Sequence, residues 1–161
     1  MDISEIKQTE EFRRSEERFR LLAENAQDMI FRYRLKPTPG FEYVSPSSTA
    51  MIGYTPEEHY ADPELGFKIV HPDDRHLIDE VLRHPQSPIT IRWLRKDGAV
   101  IWAEQRNKPI YDEAGELVAI EGISRDITQH KEAEEALRSS EEFFRALYEN
   151  VHHPSLSLMR P

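Results

Sequence analysis

The chain has 161 residues, room for one domain of ordinary size but not for two large ones. Its 38% hydrophobic and 32% charged residues imply that part of it is solvated helix or linker, and its formal net charge of −9 argues against nucleic acid or an anionic membrane as a direct partner. The lack of cysteine excludes disulfides, zinc–thiolate sites, iron–sulfur clusters and cysteine nucleophiles. No apolar run approaches the roughly 18 residues of a membrane span, and Met1-Asp2-Ile3-Ser4 does not begin a signal peptide, so a cytoplasmic location is expected.

In chain order, residues 3–27 read as helix, with Phe12, Phe19, Leu22 and Ala26 on one stripe. Met29 to Leu35 alternates, placing Met29, Phe31, Tyr33 and Leu35 on one face and Arg32 and Arg34 on the other. Pro37 to Gly40 is a turn, and Phe41 to Val44 completes a hairpin. Ser45-Pro46 reads as the start of a short helix, with Ser45 as cap and Pro46 in the first helical position, closed by Gly53. Thr55-Pro56-Glu57-Glu58 repeats that start signal. His71-Pro72-Asp73-Asp74 opens a longer helix with Leu77, Ile78, Val81 and Leu82 on one side, which Pro85 stops.

Three strands follow. Ile89, Ile91 and Trp93 alternate with Thr90 and Arg92; Asp97-Gly98 turns the chain; residues 99–111 return; Asp112 to Gly115 turns again; and Leu117 to Ser124 is the last strand. Asp126 is placed to cap an exit helix at residues 129–151, where Ala133, Leu137, Ser140, Phe144, Leu147 and Val151 step by four and three. That stripe is either packed on its own domain or a dimer seam. The order strand–strand, helices, strand–strand–strand gives an α+β fold: an antiparallel sheet with helices gathered on one face.

The two ends resemble each other. Ser15 to Asn25 matches Ser140 to Asn150 at an offset of 125, and Asp2-Ile3-Ser4 matches Asp126-Ile127-Thr128 at an offset of 124. One unit of a tandem array is the simplest account; the alternative is that Ser-Glu-Glu helices recur by composition. On the first account residues 1–16 are a linker helix from an upstream unit, 17–128 the domain, 129–150 a signalling helix and 151–161 the truncated start of the next unit.

Several stretches together resemble the PAS domain family. They are Tyr43-Val44-Ser45-Pro46, Ile52-Gly53-Tyr54-Thr55-Pro56-Glu57-Glu58, Val70-His71-Pro72-Asp73-Asp74-Arg75, Arg95-Lys96-Asp97-Gly98 with Trp102, Asp112-Glu113-Ala114-Gly115, and Gly122 through Asp126-Ile127-Thr128. None is specific alone; six in order over about residues 17–128 are. The resemblance implies the PAS fold, a five-stranded antiparallel sheet with short helices over one face and flanking linker helices. It also implies a parent protein that is a sensor histidine kinase or a cyclic-di-GMP enzyme.

The family's site is the cavity between the helices and the inner face of the sheet. Alternation points Phe31, Tyr33, Tyr43, Ile91 and Trp93 at it, the long helix adds Leu77, Ile78 and Val81, and Gln105 and Ser124 are the polar candidates. Such a lining suits a small organic ligand, aromatic or acyl; the alternative is that these side chains fill a core. The missing cysteine excludes flavin–thiol photochemistry but not a non-covalent flavin. Haem-binding members use a His on the long helix, where His76 and His84 lie, but no haem-specific surroundings are visible, so the cofactor stays undefined. No nucleophile motif, phosphate-binding Gly loop or metal-ligand spacing is present, and no catalysis is expected. Asp126, Ile127 and Thr128 are the expected coupling residues, and homodimerisation through the flanking helices and contact with adjacent PAS or output domains are the expected partnerships. The competing reading is a ligand-free dimerisation and spacer module.

Overall fold

Alternating apolar side chains and three glycine turns define the sheet. In the computed structural model, which describes residues 2–152, the strands are β1 (Met29–Arg34), β2 (Gly40–Val44), β3 (Ile89–Leu94), β4 (Val100–Tyr111) and β5 (Leu117–Asp126). They form one antiparallel sheet in the order β2-β1-β5-β4-β3, so the last strand lies in the middle. Gly98 and Gly115 take the positive φ that the two hairpins after β3 and β4 demand. β5 runs two residues beyond the expected Ser124, because Arg125 and Asp126 still pair with Glu104 and Ala103.

The helices are α1 (Ile3–Asn25), α2 (Ser47–Ile52), α3 (Pro56–Ala61), α4 (Leu65–Lys68), a 3₁₀ turn (Pro72–Asp74), α5 (His76–Arg83) and α6 (Thr128–His152). Helix α2 starts later than expected. Ser45 does not cap it: the Ser45 hydroxyl accepts from the Ile30 amide at 2.8 Å, so it is spent tying the end of β2 to β1. Gly53, at φ 81°, ends α2, and the Ile52 carbonyl accepts from the Lys96 amide. Helix α3 carries the full capping box, Thr55 and Glu58 each bonding the other's backbone N–H. Helix α4, absent from the sequence reading, is a single turn too short to show periodicity.

Residues up to Asp126 form one compact unit and residues from Ile127 a second. In the first, α1 buries only Ala23, while Phe12, Phe19 and Leu22 are exposed. The core is Met29, Phe31, Val44, Met51, Ile52, Leu65, Ile69, Val70, Ile91, Trp93, Ile101 and Ala103. The second unit is helix α6, whose Leu137, Phe144, Leu147 and Val151 are exposed. The expected start of a further unit at 151–161 lies, past His152, outside the described residues. Among the described residues no helix is long and apolar enough to cross a membrane.

The helical layer is fastened to the edge strand β3. Asp74, only 7% exposed, accepts from the Arg92 backbone amide at 2.8 Å, from its Nε at 3.0 Å and from its Nη2 at 2.6 Å. Beside it the His71 amide donates to the Arg92 carbonyl, and the Leu94 amide to the Ile69 carbonyl. The hydrogen bonds and charge of Arg92 hold the Asp74 carboxyl below its usual value of 3.8, against the opposing effect of burial. Its contribution to stability is therefore full above the unfolded pKa and lost as pH falls through the lowered folded one. Asp74→Asn should cost about 1–2 kcal/mol at pH 7 in urea unfolding, and the gap between variant and wild type should shrink towards pH 3. An undiminished gap at acid pH would show that shape, not charge, makes the contact.

Candidate functional site

Strand register carries three rows of side chains across the inner face of the sheet. The first holds Ile89, Gln105, Ser124 and Met29; the second Asn107, Gly122, Phe31 and Val44; the third Pro109, Ile120, Tyr33 and Phe41. Over these rows α3, α4 and α5 form a roof, and between sheet and roof lies a cavity of about 370 Å³. That is at the lower end of the roughly 300–1,000 Å³ of small-molecule sites.

Of the residues picked from sequence, Phe31, Tyr33, Ile78, Val81, Ile91, Trp93 and Gln105 line the cavity together. Tyr33 also reaches out of it, donating from its hydroxyl to the Pro63 carbonyl at 3.1 Å; burial first, then the nearby Glu64 charge, raise its pKa. Gln105 Nε2 donates to Asn107 Oδ1 at 2.9 Å.

Three of the picks are corrected. Tyr43 does not face the cavity. The register shifts in β2, where Val44 and Tyr43 pair with Phe31 and Arg32 but Phe41 pairs with Tyr33, so Glu42 is an extra residue. This bulge breaks the alternation: Val44 and Phe41 turn inward, and Tyr43 pairs with outward-facing Arg32, its phenol raised in pKa by burial and by Glu24 of α1. Phe41 takes the place expected for Tyr43. Leu77 is half-buried against the core cluster, and Leu82 is the residue of α5 that joins Ile78 and Val81 in the lining. Ser124 is fully buried on the inner face between Gln105 and Met29 but does not reach the cavity surface.

The residue that sequence reasoning missed is His59. It is fully buried, on α3, in the cavity wall. Its Nδ1 lies 2.8 Å from the Thr55 carbonyl, and its ring stands edge-on to Phe41 at a centroid distance of 5.1 Å. Burial pushes its pKa below the usual 6.5, outweighing the Thr55 hydrogen bond and the Glu58 charge. A six-residue helix is too short for a hydrophobic period to mark its inner side. The histidines weighed for haem, His76 and His84, are exposed. Among the described residues no group of three or more His, Asp or Glu is placed to hold a metal ion.

Several buried polar atoms lack a partner among the described residues, including Tyr43 Oη and Ser48 Oγ, whose residues do not line the cavity. His59 Nε2, Ser124 Oγ and Asn107 Nδ2 are buried without a hydrogen bond among the described residues. Phe31 lies over Gly122: a Cβ built there would stand 2.3 Å from its ring and 2.8 Å from Asn107 Oδ1. Arg125 pairs with Asp28, at 3.1 Å, and closes the end of β5 against the start of β1.

A family described as PAS fold matches residues 41–124, more than half of the chain. The methyl sulfide methyltransferase-associated sensor of Methanosarcina acetivorans is 32% identical over 117 residues, 69% of this chain and 12% of that protein. Sporulation kinase C of Bacillus subtilis is 25% identical over 128 residues, 76% of this chain and 28% of that protein. The chain thus spans a minor part of the length of these curated relatives. A solved sensory box histidine kinase/response regulator structure from Burkholderia thailandensis superposes with a TM-score of 0.64 at 27% identity, over 80% of this chain and 98% of that one.

Because the Phe31 ring occupies the space over Gly122, Gly122→Ala should drive the ring towards the cavity and destabilise the domain by about 1–3 kcal/mol in denaturant unfolding. Adding Phe31→Leu should recover part of the loss. No recovery in the double variant would place the strain elsewhere.

Proposed function

The chain belongs to the PAS fold family of sensory modules, and on that premise we propose that residues 17–128 bind a small organic ligand and relay its arrival to the helix at 129–150. The observation that carries this reading is the cavity itself. It is walled by aromatic and aliphatic side chains, and one of its lining residues, His59, buries a ring nitrogen that has no partner among the described residues. A core built only for stability leaves few such atoms, because each unpartnered one costs about 1–3 kcal/mol.

The place of β5 supports the relay. It is the central strand, and its Ser124 stands between Met29 and Gln105, both of which line the cavity. Two residues later the strand ends at Asp126, and after Ile127 the chain enters α6 at Thr128. A ligand that displaces Met29 or Gln105 would move this row, and the movement would pass through Asp126, Ile127 and Thr128 into the helix. Two packings of similar energy are needed, one favoured by the ligand.

Residues 1–16 would be a linker from an upstream unit, and the exposed rows Phe12, Phe19, Leu22 and Leu137, Phe144, Leu147 a homodimer seam. The parent would be a cytoplasmic signalling protein, a histidine kinase or a cyclic-di-GMP enzyme. This domain would itself catalyse nothing and touch neither nucleic acid nor membrane.

Native mass spectrometry of the purified chain, with a denatured control and an absorbance scan, should show a non-covalent adduct that the denatured control lacks. A bare mass, together with a concentration-dependent dimer, would favour the ligand-free spacer instead. Asp126→Ala should leave the unfolding midpoint within about 0.5 kcal/mol of wild type while uncoupling output in a full-length protein; unchanged output would remove Asp126 from the relay.

A further inference from the structure

The chemistry of the cavity wall narrows the ligand, given the ligand-binding reading above. His59 sets the terms. A backbone carbonyl only accepts, so the 2.8 Å contact with Thr55 O puts the ring proton on Nδ1. Burial keeps the ring neutral. Nε2 then bears the lone pair; His59 is a residue of the cavity wall, and its Nε2 is buried and unpartnered among the described residues. Such an atom calls for a donor from the ligand.

Charge supplies the second restriction. None of the lining residues is Lys or Arg, and the one carboxylate among them, Glu64, carries a side chain that is 80% exposed and so stands at the rim. An anion entering here finds no cation in the lining and an acceptor inside, and the nearest positive charges, Lys68 beside Glu64 at 4.0 Å and Arg75 over the Phe67 ring, stand outside the lining. Shape supplies the third. Phe31, Phe41, Phe67, Ile91 and Trp93 wall a space of about 370 Å³, which suits a molecule of one or two rings.

We propose that the cavity selects an uncharged aromatic molecule bearing an N–H or O–H group, which donates to His59 Nε2, and that it rejects carboxylates of the same size. The acyl or carboxylate ligands compatible with an apolar lining alone are thereby set aside.

Three probes of one ring system separate these effects: 2-naphthol, which donates; 2-methoxynaphthalene, which cannot; and 2-naphthoate, which is anionic. Calorimetric titration of the whole chain at pH 7.5 should give 2-naphthol at least about tenfold tighter binding than the ether, the scale of one buried hydrogen bond, with 2-naphthoate the weakest of the three. In His59→Phe the naphthol advantage should vanish while the ether keeps its affinity. If His59→Phe does not fold, the imidazole ¹⁵N signals of the wild type decide, since the His59 Nε2 resonance should move with naphthol and not with the ether. Equal affinities of naphthol and ether, tighter naphthoate, or a naphthol preference that survives in His59→Phe overturns the assignment and leaves the ligand cavity standing. No binding of any probe removes this selectivity and counts against the cavity reading with it.

Discussion

The Asp74–Arg92 clamp is the contact on which the layered arrangement depends. A sheet with helices on one face must keep its roof at a fixed height, and here much of the roof consists of one- and two-turn helices that cannot hold themselves. Asp74 accepts three hydrogen bonds from a single residue of the edge strand, so both the backbone and the side chain of Arg92 are engaged. The guanidinium in turn lies 5.3 Å from the Trp102 ring centroid on the neighbouring strand. At the other side of the roof the Glu58–Lys96 pair and the Lys96 amide tie α3 and α2 to the β3–β4 hairpin. With the roof held at its edges, the space beneath it need not be filled.

That space is where local rules and the whole fold disagree. Elsewhere in the domain Ser45 meets Ile30, Tyr60 meets Val44, and Thr55 and Glu58 meet each other, while the Tyr43 and Ser48 hydroxyls are buried without a partner among the described residues. In the cavity wall His59 buries a polar atom with no partner among the described residues, as do Asn107 and Ser124 on the inner face of the sheet, outside the lining. In the proposed reading, the partner missing at His59 belongs to the ligand.

The position of β5 joins that site to the exit of the domain. A strand at the edge could shift without disturbing the rest, but a central strand is paired on both sides, here to β1 and β4. Any displacement of its Ser124 row must be shared with Met29 and Gln105. The Arg125–Asp28 pair stands at the point where such a displacement would leave the sheet. In the proposed relay these shared pairings convert a change of side-chain packing into a movement of the strand end.

Local chemistry made much of this legible beforehand. The cap at Thr55 and the helix start at His71, the glycine stops at Gly53, Gly98 and Gly115, and the alternation of β1 and β3 need only near neighbours, so the sequence by itself determined the order of the strands, the α+β plan and the cavity faces of Phe31, Tyr33, Ile91 and Trp93. Where the outcome depended on a distant partner, the reading failed. Glu42 bulges because β2 must pair with β1 in a register its own sequence does not announce, and that turned Tyr43 outward and Phe41 inward. Ser45 serves Ile30, fifteen residues away, in place of its own helix. His59 enters the site because a two-turn helix is laid over Phe41, and no periodicity in six residues reports which side will be covered. Local propensity sets the elements; only packing between them decides which polar atoms are shut in without a partner.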